Sequence, residues 1–274
     1  MGMRINTNVP ALNATRQLNR TTLRMSKSLE RLSSGLRINR AADDAAGLAI
    51  AEGFRSQVLG YRMAQRNSQD AISLVQTAEG ALSETTNILQ RIRELAVQAA
   101  NGTASAENRA TLQSEVEQLI GQIDDIASDT KFNNISILTG DTATVTIQAG
   151  ASIGQTLIVS LRGADSADLT INTGFAISAL AQAATAIQQI DSALAQVSSV
   201  RAGLGAAQNR LEFTIATLAI QEENSAASES AIRDANIALE TIEFTRNQIL
   251  VSAGTSILAQ ANMLPQSALT LLGG

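Results

Sequence analysis

Four apolar residues seven apart, Leu74, Ala81, Ile88 and Leu95, limit the possible folds of this chain more than any other feature. A second row, Val75, Leu82, Leu89 and Ala96, runs beside them, and residues 44–100 contain no proline. Rows at this spacing lie along one face of a helix. At about 1.5 Å per residue, a helix over that span exceeds ~80 Å. No small globule needs such a helix; a rod does. Composition points the same way. Aromatics are 2% of the residues, with five Phe, one Tyr and no Trp, yet 45% are apolar. Compact cores draw much of their buried area from aromatic rings, so this chain must bury its surface along thin helix seams.

The punctuation sets the other elements. Asn8 and Pro10 suit a helix start, and residues 4–32 read as an amphipathic helix with Leu18, Met25, Leu29, Leu32 and Leu36 on one face. Ser33, Ser34 and Gly35 interrupt the period, and Asp43 with Asp44 supply an N-cap and a first-turn carboxylate for the long helix. Asn101-Gly102 ends that helix, and a second opens near Ser105 or Ala106 with a seam of Leu112, Val116, Leu119, Ile123 and Ile126. From Thr142 the period becomes two. Thr144–Ile147 and Thr156–Leu161 then flank a glycine-bearing loop, a hairpin at about 142–162, with a short extra strand expected at Leu169-Thr170-Ile171. A third long helix covers about 177–230, where Arg201 and Gln208 replace apolar seam residues, a pattern that sets register or else marks a kink or a partner contact. Residues 231–264 are helical again. There Ile237, Phe244, Val251 and Leu258 recur every seven residues, and Leu250, Ile257 and Leu264 form a second row. This arc is wider than one partner helix requires, which argues for several neighbours. The apolar Leu269–Leu272 would need burial too.

Charge and composition exclude much. There is no Cys and no His, so thiolate, imidazole and triad chemistry are absent, and no catalytic, cofactor or metal residues are expected. Asp124, Asp125 and Asp129 lack the alternating ligands and turn glycine of a calcium loop. No apolar run approaches the roughly 20 residues that span a bilayer, and residues 1–20 carry three arginines without a continuous apolar stretch, so neither membrane insertion nor a cleaved signal is expected. Residues 1–40 hold eight basic side chains against Glu30, whereas 222–274 hold six acidic against two basic. Nucleic acid is a poor partner for an arm with no interleaved aromatics; the chain's own acidic end is a simpler one. A single amphipathic helix has nothing to bury against in water, so residues 1–40 are expected to be disordered in the monomer.

Several stretches resemble the bacterial flagellins: Met3-Arg4-Ile5-Asn6-Thr7-Asn8, Leu29 to Ala51, Leu89 to Gln98, Phe132-Asn133, Gly254 to Asn262, Pro265-Gln266 and Leu271-Leu272. The resemblance runs from Met3 to about Leu138 and from about Ile187 to Leu272, most of the chain. It implies a mainly α fold, a long antiparallel helical coiled-coil rod with one small β-hairpin region and both termini pairing as helices. Residues 1–42 with 231–274 would form an inner terminal coiled-coil domain, and 43–230 a rod domain of three long helices, with no room for the outer variable domains of larger members. The implied function is a structural subunit that polymerises into the flagellar filament for motility, its disordered ends folding on assembly. The implied partners are further copies of the chain, the flagellar secretion apparatus, an export chaperone at the C-terminal end, the filament cap, hook-associated proteins and a host Toll-like flagellin receptor. The implied location is extracellular, reached without a cleaved signal. Arg91, Leu95 and Glu115 resemble the surface that receptor reads, which overlaps a subunit contact. Leu18, Met25, Leu29, Leu32, Ile237, Phe244, Val251 and Leu258 would line the terminal seams.

Overall fold

The structure, a computed structural model, describes residues 7–140, 144–172 and 175–272, with side chains described as far as Met263. Met3 to Asn6 and Thr142 therefore lie outside the described residues, as do the side chains of Leu264, Pro265 and Leu269–Leu272. The elements run α1 (Val9–Ser34), α2 (Ala45–Ala99), α3 (Ala106–Asp129), β1 (Lys131–Phe132), β2 (Ile135–Ser136), β3 (Thr144–Gln148), β4 (Thr156–Ser160), α4 (Leu180–Arg233) and α5 (Ile237–Leu272). They gather into two compact units that divide inside α2 and α4, one of residues up to Ser56 and from Asn224, the other Gln57–Glu223. None of the described helices is long and apolar enough to cross a membrane.

In the Gln57–Glu223 unit, the seam residues of α2 meet those of α3 and α4 in one apolar cluster that includes Leu82, Leu89, Ile92, Leu95, Val116, Ile123, Ile190 and Leu211. The heptad rows are its backbone, because only side chains recurring on one face reach a neighbour along a whole helix. Ser105 caps α3, accepting from Asn108 N–H at 3.1 Å, and Arg109 closes the preceding turn by donating to the Ala99 carbonyl at 2.9 Å and the Asn101 carbonyl at 3.2 Å. Of the two polar seam residues, Arg201 pairs with Glu79 at 3.6 Å and Gln208 donates to Glu212 within α4.

β3 and β4 pair antiparallel, Thr144 opposite Ser160 and Gln148 opposite Thr156. Their inward residues Leu157 and Val159 join the core. The loop turns at Gly154, whose φ of +87° favours glycine. Its Ala151 meets α2 at Gly60, where an added Cβ would come within 2.7 Å of the Ala151 Cβ.

Three local features differ from the sequence expectation. Lys131–Phe132 and Ile135–Ser136 form a small antiparallel pair. Asn133 and Asn134 both adopt left-handed backbone, φ +49° and +64°, as a type I′ turn demands. Leu169-Thr170-Ile171, in contrast, is a turn and not a strand. Asp165 accepts from the Asp168 N–H at 2.8 Å, Ile171 N–H returns to the Ser166 carbonyl at 2.9 Å, and Thr170 sits at φ +59°. Leu169 and Ile171 are buried, so their apolar character serves packing rather than a ladder. Helix α5 also runs on past residue 264, through Pro265 to Leu272.

Candidate assembly surface

The terminal unit is built on α1 packed against α5. Three contacts fix the antiparallel register. Asn8 Nδ2 donates to the Ala261 carbonyl at 2.8 Å, Leu18 lies over Gly254, and Arg31 pairs with Glu240 at 3.5 Å. Asn8 also caps α1, accepting from Ala11 N–H at 3.1 Å. On α1, the residues shielded most from solvent are Thr21 and Ser28, with Leu18, Met25 and Leu32 half-buried around them. They follow a three-four spacing. On α5 the matching stripe is Phe244, Asn247, Val251, Gly254, Leu258 and Ala261. Small residues let the axes approach. At Gly254 an added Cβ would lie 3.2 Å from the Leu18 Cδ1, so the Leu18 side chain would have to shift by a few tenths of an ångström.

Of the eight terminal-seam residues expected from the sequence, Leu18, Met25, Leu32, Phe244, Val251 and Leu258 thus lie along the α1–α5 contact. Leu29 and Ile237 do not; they are 55% and 51% exposed. For Leu29 the reason is geometric, since the buried stripe passes through Ser28 and leaves its neighbour outside. Among the described residues Arg31–Glu240 is the one ion pair between the two helices, so packing, more than charge, joins them.

Much of the apolar surface of α5 is left uncovered. Leu239, Ile242, Ile249, Leu250, Ile257 and Met263 are all exposed, and α1 adds Val9, Leu12 and Leu23. Ile242, Ile249 and Leu250 line an open groove with Thr241, Thr245 and Arg246. Apolar surface of this extent on a polar-rimmed helix pair is an interaction surface.

Where α1 meets α2 and α4 meets α5, two helix breaks satisfy each other. Gly35, at φ +72°, ends α1 with its N–H on the Arg31 carbonyl. Leu36 then bridges Asp234; Arg37 N–H donates to the Arg233 carbonyl at 2.7 Å and Ala235 N–H to the Gly35 carbonyl at 2.9 Å. These bonds occupy groups that helix ends leave free. Arg233 reaches Glu52 at 3.0 Å. The two aspartates divide the work expected of them. Asp44 caps α2, accepting from Gly47 N–H at 2.9 Å. Asp43 instead turns back, accepting from the N–H groups of Asn39 and Arg40 and pairing with Lys27 at 2.7 Å. Lys27 and these backbone donors lower the Asp43 carboxyl to about 2.

In the other unit, Arg91 of α2 grips Glu115 of α3 through Nε and Nη2, at 3.2 and 3.0 Å, and Glu94 through Nη1 at 3.0 Å. Glu115, then Glu94, raise its pKa above the ordinary arginine value. Both ends of the Arg91–Glu115 pair stay open to solvent. Leu95 does not belong to this surface. It is 1% exposed within the core, because it continues the seven-residue row that holds α2 to its neighbours.

Residues 5–143 match the bacterial flagellin N-terminal helical region, and 187–272 match the bacterial flagellin C-terminal helical region. The chain belongs to the bacterial flagellins. It is 48% identical to the flagellin of Halalkalibacterium halodurans over 273 residues, covering 98% of this chain and 100% of that one. It is 45% identical to the flagellar filament 33 kDa core protein of Treponema phagedenis, with the same coverage. Among solved structures, the flagellin of Bacillus cereus superposes with a TM-score of 0.50 at 36% identity, over 60% of this chain and 94% of that one. As a flagellin, the chain is a structural subunit of the extracellular flagellar filament.

Proposed function

We propose that this flagellin polymerises through the face of the α1–α5 pair, and that its terminal helices become ordered as each subunit is added. The uncovered rows on α5, Leu239, Ile242, Ile249, Leu250, Ile257 and Met263, carry the reading. A lone subunit gains little from them, and burying them against neighbouring copies offsets the entropy of ordering the ends. Residues 1–42 and 231–274 then form the inner layer of the filament and 43–230 the layer outside it. The chain acts mechanically, not as an enzyme. It leaves the cell through the flagellar secretion apparatus without a cleaved signal, escorted by a chaperone on its C-terminal end, and meets the cap and hook-associated proteins at the filament's tips. The open Arg91–Glu115 pair is the part of α2 and α3 suited to recognition by a Toll-like receptor, with Leu95 holding α2 in place beneath it.

Seeded assembly of the purified chain, with protease mapping before and after, tests this. The expected result is filaments, with residues 1–40 and 231–274 cleavable in the monomer and protected once assembled. Termini already protected in the monomer would remove the ordering step, and failure of a well-folded subunit to elongate seeds would overturn self-polymerisation.

A further inference from the structure

Asn101 is the one asparagine of this chain followed by glycine. It lies in the turn that joins α2 to α3, and both residues of the pair are exposed. Three features of that turn prepare a reaction between them. The Asn101 side chain is folded back over the backbone, its Oδ1 accepting from the Thr103 N–H at 3.2 Å. That hydrogen bond polarises the side-chain carbonyl and lies where negative charge would gather if its carbon were attacked. The Gly102 N–H makes none of the described hydrogen bonds, so this nitrogen is not held by a ladder or helix. Finally, apart from its two chain neighbours, nothing lies within 4 Å of where a Gly102 Cβ would be, so no other part of the fold crowds the turn at Gly102.

We infer that Asn101-Gly102 is a site of spontaneous covalent modification, a slow conversion of Asn101 to aspartate and isoaspartate. Hydroxide removes the proton from Gly102 N, and this nitrogen attacks Asn101 Cγ. The new N–C bond closes a succinimide ring as the Cγ–Nδ2 bond breaks and ammonia leaves. Water then opens the ring at either carbonyl. One opening gives aspartate; the other gives isoaspartate, in which the backbone passes through the former side chain. In sum one amide and one water become one carboxylic acid and one ammonia, with no oxidant, metal or enzyme.

The site is wired to the fold. The Asn101 backbone carbonyl accepts from Arg109 Nη2 and from Ala104 N–H at 3.2 Å. In the isoaspartyl product that carbonyl carbon becomes a free carboxylate and the backbone gains a methylene, so the turn must be rebuilt around Arg109. The added negative charge also lies just beyond the C-terminal end of α2, the end that disfavours it. An old subunit therefore differs from a new one at this turn.

The test ages the full chain in mildly alkaline buffer and maps peptides by mass spectrometry, with isoaspartate scored by methyl transfer from an isoaspartyl methyltransferase. Asn101 is expected to carry most of the converted amide. Gly102→Ala is the deciding variant. Gly102 is not among the positive-φ glycines and its Cβ meets nothing, so the variant folds, as circular dichroism would show. Its Cβ crowds the attacking nitrogen and is expected to slow conversion at Asn101 by about tenfold or more, a barrier higher by about 1.4 kcal/mol. Conversion spread evenly over the other asparagines, an unchanged Asn101, or equal rates in parent and Gly102→Ala would each overturn the inference.

Discussion

Replacing Ile257 by alanine separates what α5 does for the subunit from what it does for the filament. Full burial of an isoleucine side chain contributes about 1.5–3 kcal/mol over leaving it in water. Ile257 is 57% exposed on the formed α1–α5 pair, so about half of that, on the order of 1–1.5 kcal/mol, depends on a neighbouring copy covering it. Alanine forfeits most of that gain, and a loss of about 1.4 kcal/mol per added subunit raises the critical concentration about tenfold. The monomer should hardly notice, because substitutions at exposed sites usually stay within about 0.5 kcal/mol. Sedimentation of seeded assemblies over a concentration series gives the critical concentration, and urea unfolding of the monomer gives its stability. An unchanged critical concentration in Ile257→Ala, with normal filaments, would show that this row does not face a neighbouring copy. A destabilised monomer would show that the row is already packed.

Ile92→Ala should do the reverse and destabilise the Gln57–Glu223 unit by about 2–5 kcal/mol, read by denaturant unfolding, because Ile92 is fully buried and its truncation leaves a cavity. Gly60→Ala sets a helix-propensity gain of about 1 kcal/mol against overpacking of about 1–3 kcal/mol at Ala151; hydrogen exchange should show faster opening of β3 and β4, with α2 unaffected. The Asp43 carboxyl, at about 2 in the folded chain against 3.8 when free, binds its proton more weakly folded than unfolded. Its contribution to stability is thus complete above pH ~4 and fades as pH falls toward about 2, and Asp43→Asn should remove that segment of the acid-unfolding curve. Arg91→Ala should leave the monomer's stability almost unchanged, since its ion pairs are solvent-exposed; a clear calorimetric loss would mean the Arg91–Glu115 pair holds α3 to α2.

The helices were legible because a seven-residue row is a long, redundant signal. Ser105 and Asn8 announced their caps as small side chains with an oxygen to offer. The terminal seam was harder. Its most buried α1 positions, Thr21 and Ser28, are small and polar, so counting apolar residues moved the seam toward Leu29. The same blindness placed Leu95 on a surface: a motif shows which residues belong together, not which of them lie beneath. Asn133-Asn134 between Phe132 and Ile135 was a readable hairpin signal, since asparagine tolerates left-handed backbone. Leu169-Thr170-Ile171 misled because an apolar-polar-apolar triplet cannot reveal that Asp165 has already captured the Asp168 N–H. Nor could spacing assign Asp43 and Asp44 different tasks, which depend on Lys27 returning along α1.

The Asn8–Ala261 contact joins residues 253 positions apart. Contacts this distant in sequence are slow to form, because closing so long a loop costs entropy before any seam residue is buried. The hairpin and the α2–α3 turn, in contrast, unite near neighbours and should form early. During synthesis α1 emerges long before its partner, so it must wait, unpaired, for most of the chain to be made. The terminal helix pair is thus expected to be the last part of this protein to fold, an order of events that suits a chain meant to finish folding away from the ribosome.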